Sequence, residues 1–134
     1  MAETSLDALF ETAKAASEKA YAPYSKFPVG AAILSDDGKV YSGANIENLA
    51  YPEGICAEGV AIGRMIMGGG RKIETVAVYA PRLALCSPCG GCRQKIAEFA
   101  EAGASILLCD DAGVQKSVTI AELLPHAFET ENIG

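Results

Sequence analysis

Cys56-Ala57-Glu58 is followed further along the chain by Pro88-Cys89-Gly90-Gly91-Cys92. These segments bring three thiols and one carboxylate. Three thiolates suit zinc, which takes nitrogen and sulfur ligands and is almost always four-coordinate. Three protein ligands leave the fourth position to water, and such a site does chemistry. Four thiolates would close the site and only hold a fold together. The pattern points to an enzyme that activates water.

Both cysteine segments read as helix starts, with Cys56 opening one helix and Pro88 standing just before another. A thiol in a first helical turn sits near the positive end of the helix dipole, which favours the thiolate. Cys89 and Cys92 are three apart and share a helix face. Glu58 need not be a ligand; beside an activated water it can serve as general acid and base. Other readings of the same residues stay open. A lone CxxC also serves structural zinc sites and redox pairs, and Glu58 alone reads as a solvated helix residue. Cys86, evenly spaced with Cys89 and Cys92, can close the site as a fourth ligand. Cys109 reads as a small buried hydrophobe.

The rest of the chain must position these groups. Its 134 residues, half of them hydrophobic, suffice for one domain with a real core but not for two, so residues 1–134 are expected to form a single domain. No apolar run is long enough to span a bilayer, and the acidic N-terminus lacks the pattern of a secretory signal. A cytoplasmic protein with no membrane partner is the expectation. The net charge is −6 with no basic stripe, which argues against a nucleic-acid partner and favours a small neutral substrate. The five cysteines cannot all pair within one chain. In a reducing compartment, grouped cysteines more often bind metal.

Periodicity predicts a helix over Thr4–Tyr21, with Thr4 and Asp7 as a capping box and Pro23 as its stop. Two strands, Phe27–Leu34 and Lys39–Asn45, flank the turn Ser35-Asp36-Asp37-Gly38. A loop over Asn48–Ile55 leads to a helix over Cys56–Met67, then a strand over Thr75–Ala80. A loop over Leu83–Pro88 leads to a third helix over Gly90–Ala102, ended by Gly103. A buried strand over Ser105–Cys109 and an edge strand over Val114–Val118 follow. Thr119–Leu124 reads as a short helix capped by Thr119 and Glu122, with a tail over Pro125–Gly134. Strand, helix, strand with short connections implies parallel pairing. The expected architecture is α/β, a mixed sheet between helix layers.

With these segments quoted, the chain resembles the small homotetrameric cytidine deaminases. The resemblance runs from Ala22-Pro23-Tyr24-Ser25-Lys26-Phe27-Pro28-Val29-Gly30, through Gly43-Ala44-Asn45-Ile46-Glu47-Asn48 and the cysteine segments. It continues with Cys92-Arg93-Gln94 and ends at Leu123-Leu124-Pro125-His126-Ala127-Phe128. It implies a three-layer α/β/α sandwich with a mixed five-stranded sheet. It also implies hydrolytic deamination of cytidine and 2′-deoxycytidine at C4 of the base, with one zinc per subunit on Cys56, Cys89 and Cys92. Glu58 would shuttle protons to N3 and to the leaving ammonia.

Asn45 and Glu47, two apart at a strand end, point the same way and suit ribose hydroxyls. Phe27 offers a flat wall for a pyrimidine, though it also reads as a core strand residue. The resemblance further implies that the Ala57 backbone contacts the base. It implies a homotetramer with active sites at subunit interfaces, where Tyr51 and Phe128 reach in from neighbouring subunits. Many small family members carry Arg directly after the catalytic Glu; here Gly59 stands there. Three thiolates and one zinc ion sum to −1, so compensation is expected from Arg93 or from the two helix N-termini. His126, the one histidine, reads as a surface residue.

Overall fold

The computed structural model describes residues 5–128. Helix α1 (Leu6–Ser17) leads to strands β1 (Gly30–Ser35) and β2 (Val40–Ala44). A single 3-10 turn, Tyr51–Glu53, precedes α2 (Ala57–Gly68) and β3 (Ile73–Tyr79). Then come α3 (Gly90–Phe99), β4 (Ala100–Asp110), β5 (Gly113–Thr119) and α4 (Ile120–Leu123). The five strands form one sheet in the order β2-β1-β3-β4-β5. The β3–β4 pair, joined through α3, is parallel, and the other neighbours are antiparallel.

Alternation along the strands sorts the core into two layers. Ala32, Ala77, Tyr79, Leu107 and Cys109 face α1, where they meet Leu9, Phe10 and Ala13. Ala31, Ile33, Val76, Val78, Ile106 and Leu108 face the other way, onto Ala57, Ala61, Met65 and Ile96 of α2 and α3. The three-layer mixed-sheet architecture is therefore as expected, and Cys109 is a buried core residue on the α1 side.

Two glycines let helices approach the sheet. A β-carbon on Gly30 would lie 1.9 Å from the Ala13 carbonyl oxygen of α1. One on Gly43 would lie 2.5 Å from Ala61 N and 2.6 Å from Ala57 O, so α2 rests its first turn on bare β2 backbone. That contact sets where Cys56, Ala57 and Glu58 stand.

Several expected boundaries shift. Ser5 caps α1, its hydroxyl accepting from Ala8 N–H at 3.0 Å, while Thr4 lies outside the described residues. The helix ends at Ser17 rather than Tyr21, because the Tyr21 backbone is drawn into a bridge with Ile46. Strand β1 begins at Gly30, and Phe27–Val29 is held instead by the Asn45 side chain. Helix α3 stops at Phe99, because Ala100 already pairs with Ile73 of β3. Gly103, with φ of +81°, lies within β4 where the register shifts, and caps no helix. At α4 the Thr119–Glu122 capping box forms as expected.

Candidate metal centre and substrate site

Cys56 is the N-cap of α2 and Cys89 the N-cap of α3, with Cys92 in the first turn of α3. The Cys56 thiol makes no cap hydrogen bond to its own helix and is free to turn outward. Buried Pro88 fixes the entry into α3. The Sγ atoms of Cys56 and Cys89 are 4.0 Å apart, and all three Sγ atoms lie within 4.8 Å of one another. Zinc–sulfur bonds of about 2.3 Å in a tetrahedron need sulfurs about 3.8 Å apart. The donor set fits zinc with one position left over.

Electrostatics agree with a cation at this point. Burial pushes the Cys56 thiol up, and the neighbouring Cys89 and Glu58 add to the push. Burial, Glu58 and the other two sulfurs raise Cys92 as well. Burial also opposes ionisation of Cys89, but the Cys92 N–H and the Cys92 and Cys56 thiols outweigh it and lower its pKa. Three thiolates crowded together repel one another, and a metal ion at their centre reverses that balance.

Cys86 stands apart from this group. It is buried in the core cluster with Ala57 and Ile96, and burial pushes its thiol up to about 12. Among the described residues the three-thiol group is Cys56, Cys89 and Cys92, so the fourth-ligand reading of Cys86 finds no support.

Glu58 is 4% exposed in the first turn of α2. Burial pushes its carboxyl up, opposed by its own backbone N–H, the Cys92 thiol and the charge of Lys95. A raised pKa is what a carboxyl needs to hold and release a proton near neutrality. Ala57, fully buried, is the first residue of α2, so its N–H is one of the donors without an intrahelical acceptor.

Asn45 and Glu47 both turn onto the Tyr24–Val29 segment. Asn45 Oδ1 accepts from Val29 N–H at 2.8 Å, and its Nδ2 donates to the Phe27 carbonyl at 3.0 Å. Glu47 Oε1 accepts from the N–H groups of Tyr24 and Ser25, both at 3.1 Å, and Oε2 accepts from the Ser25 hydroxyl. Chiefly the Ser25 hydroxyl and N–H hold the Glu47 carboxyl below its ordinary value. Each side chain keeps spare capacity, one N–H on Asn45 and a lone pair on Glu47. Phe27 is half-buried against the core cluster that contains Ala57.

A cavity of about 360 Å³ is lined by Tyr24, Ser25, Glu47, Asn48, Tyr51 and Gly54. Glu47 and Tyr51 thus share a wall, while the thiols and Glu58 are not part of it. Tyr51 is 74% exposed and meets Tyr24 edge-on at 6.1 Å. Phe128 is 72% exposed, and its carbonyl accepts from Gln94 of α3.

Arg93 does not face the thiols as a free charge. Its guanidinium donates to the carbonyls of Pro88 and Leu123 and to the Ser87 hydroxyl, tying α3 to the end of α4. The sequence reading passed over two residues. Ser25 orders Glu47, which no spacing rule reveals. Lys95 lies beside Gly59, and its position three after Cys92 was an available signal. His126 is exposed as expected.

The sequence matches the family model of the cytidine and deoxycytidylate deaminase zinc-binding region over residues 3–108. It is 44% identical over 129 residues to a cytidine deaminase of Sporosarcina psychrophila, covering 96% of this chain and 95% of that protein. It is 42% identical over 126 residues to a cytidine deaminase of Halalkalibacterium halodurans, covering 94% and 96%. Its fold superposes on the crystal structure of cytidine deaminase from Burkholderia pseudomallei with a TM-score of 0.82 and 41% identity, covering 90% of this chain and 97% of that one. A three-thiol cluster built from two helix starts, with a buried glutamate beside it, lies on a chain matched almost end to end; the chain belongs to the cytidine and deoxycytidylate deaminase zinc-binding family.

Proposed function

We propose that this chain hydrolyses cytidine to uridine and ammonia, with zinc as cofactor, and 2′-deoxycytidine to 2′-deoxyuridine in the same way. The observation that carries the reading is the meeting of three thiols from two helix starts beside buried Glu58. Cys56, Cys89 and Cys92 would hold one zinc ion per subunit. When bound, zinc supplies a Lewis acid that brings the pKa of a water near neutrality and stabilises charge on the attacking oxygen.

Glu58 takes a proton from the attacking water and passes it to N3 as the oxygen adds at C4. It then takes the proton left on the new C4 hydroxyl and gives it to the amine, which leaves as ammonia as the C4–N4 bond breaks. The Ala57 backbone, at the open end of α2, meets the base. Phe27 forms an apolar wall for the ring. Asn45 and Glu47 hold ribose hydroxyls with their remaining donor and lone pair. Glu47 favours a free 3′-hydroxyl and repels a phosphate there, which suits a nucleoside.

Exposed Tyr51 and Phe128 support a homotetramer in which these rings complete the site of a neighbouring subunit. Two core layers around one sheet support a single domain over residues 1–134. Among the described residues no helix is long and apolar enough to cross a membrane, which agrees with a cytoplasmic enzyme. A panel of cytidine, 2′-deoxycytidine, cytosine and other amines, followed by ultraviolet absorbance, tests the substrate. Both nucleosides should be converted. Untouched cytidine alongside hydrolysis of another amine would overturn the assignment.

A further inference from the structure

The metal centre carries an unbalanced charge. Three thiolates and a divalent ion sum to −1, and Glu58 is buried beside them. The two helix N-termini contribute only about half an elementary charge each. Arg93 is committed to the Pro88 and Leu123 carbonyls and to Ser87.

Gly59 lies in the first turn of α2, next to Glu58 and three residues after Cys56. The space beyond its missing side chain is bordered by Ile55 Cγ2, 3.3 Å from where a β-carbon would lie, and by Lys95 from across the helix interface. A β-carbon on Gly59 would lie 3.5 Å from Lys95 Nζ and 3.9 Å from Lys95 Cδ. Lys95 follows Cys92 by three residues on α3, so the two project from one face of that helix. The lysine stem therefore crosses from the helix that carries Cys89 and Cys92 to the helix that carries Cys56. Its ammonium ends against the bare first turn of α2. A branched or long residue at position 59 would compete for that place.

We propose that Lys95 is the cation that balances the thiolate centre, and that Gly59 stays small to admit it. The proposal rests on the three-thiolate zinc reading above. Lys95 acts at a distance, through its charge, on a centre made of the three sulfurs and the buried Glu58 beside them. Because Lys95 is exposed, its effect is screened by salt.

The test uses Lys95→Met, which keeps a long stem without charge, and Lys95→Arg, which keeps the charge. Zinc affinity is measured by competition with a chromogenic chelator at low ionic strength. Circular dichroism checks the fold, and Met and Arg both suit a helix. Lys95→Met should lower zinc affinity about tenfold, the scale of lost supporting contacts around a metal. Lys95→Arg should stay close to the parent chain, and high salt should narrow the gap between parent and Lys95→Met. A folded Lys95→Met chain that holds zinc as tightly as the parent would overturn the proposal. So would a Lys95→Arg chain that loses as much as Lys95→Met. A parent chain that binds no zinc would instead overturn the metal-site reading itself.

Discussion

The Sγ atoms of Cys56 and Cys89 lie 4.0 Å apart, yet each belongs to the N-cap of a different helix. The sheet makes this possible. Helices α2 and α3 pack on the same face, and their N-terminal ends converge on one point. The positive ends of two helices then favour thiolates at the same place.

The approach of α2 to β2 depends on Gly43. Its missing β-carbon would meet backbone atoms of Ala57 and Ala61 at 2.6 and 2.5 Å, and backbone cannot turn aside. Gly43→Ala should destabilise the chain by about 1–3 kcal/mol, the usual cost of overpacking a tight contact. It should also weaken zinc binding, because the first turn of α2 must move. Gly63→Ala, on the exposed side of the same helix with nothing within 4 Å, should be neutral or add about 0.5–1 kcal/mol. Urea unfolding of both variants checks this. Equal midpoints for Gly43→Ala and the parent would contradict the packing argument.

Glu47 orders Tyr24 and Ser25. The proposed function gives its remaining lone pair a second duty, to ribose. Glu47→Gln should lower kcat/KM for cytidine about tenfold or more, since a hydrogen bond to a charged group is worth about 1.5–3 kcal/mol. Steady-state kinetics should place much of that loss in KM. The parent should reject cytidine 3′-phosphate. Unchanged KM in the variant, or ready turnover of the 3′-phosphate by the parent, would remove Glu47 from ribose recognition.

Tyr51 and Phe128 are large rings left open to solvent. If they complete a neighbouring subunit's site, light scattering should find a tetramer, and dilution to monomers should abolish turnover. Tyr51→Ala should reduce activity without unfolding the chain. A fully active monomer would contradict the shared-site arrangement.

The meeting of Cys56, Cys89, Cys92 and Glu58 was legible in the sequence because residue type and helix-start position point to it. Both are local properties. The ends of α1 and α3 were not legible, because Tyr21 and Ala100 are claimed by distant backbone partners, Ile46 and Ile73. Helical spacing carries no sign of that competition. Arg93 looked free as a charge but is spent on two carbonyls and a hydroxyl. Lys95 gained its place only when α2 and α3 came together. The cluster itself was visible as residue types at helix starts, and the residues packed around it depended on the fold.

The proposed function makes Glu58 the proton carrier at a site whose metal is held by three other side chains. Glu58→Gln, assayed with cytidine by ultraviolet absorbance and in parallel for zinc by elemental analysis, tests it most directly. Both proteins should carry one zinc per chain. Turnover in the variant should fall by about 100-fold to 10,000-fold, the usual contribution of a general acid–base group. A variant that keeps its zinc and most of its activity would contradict the account.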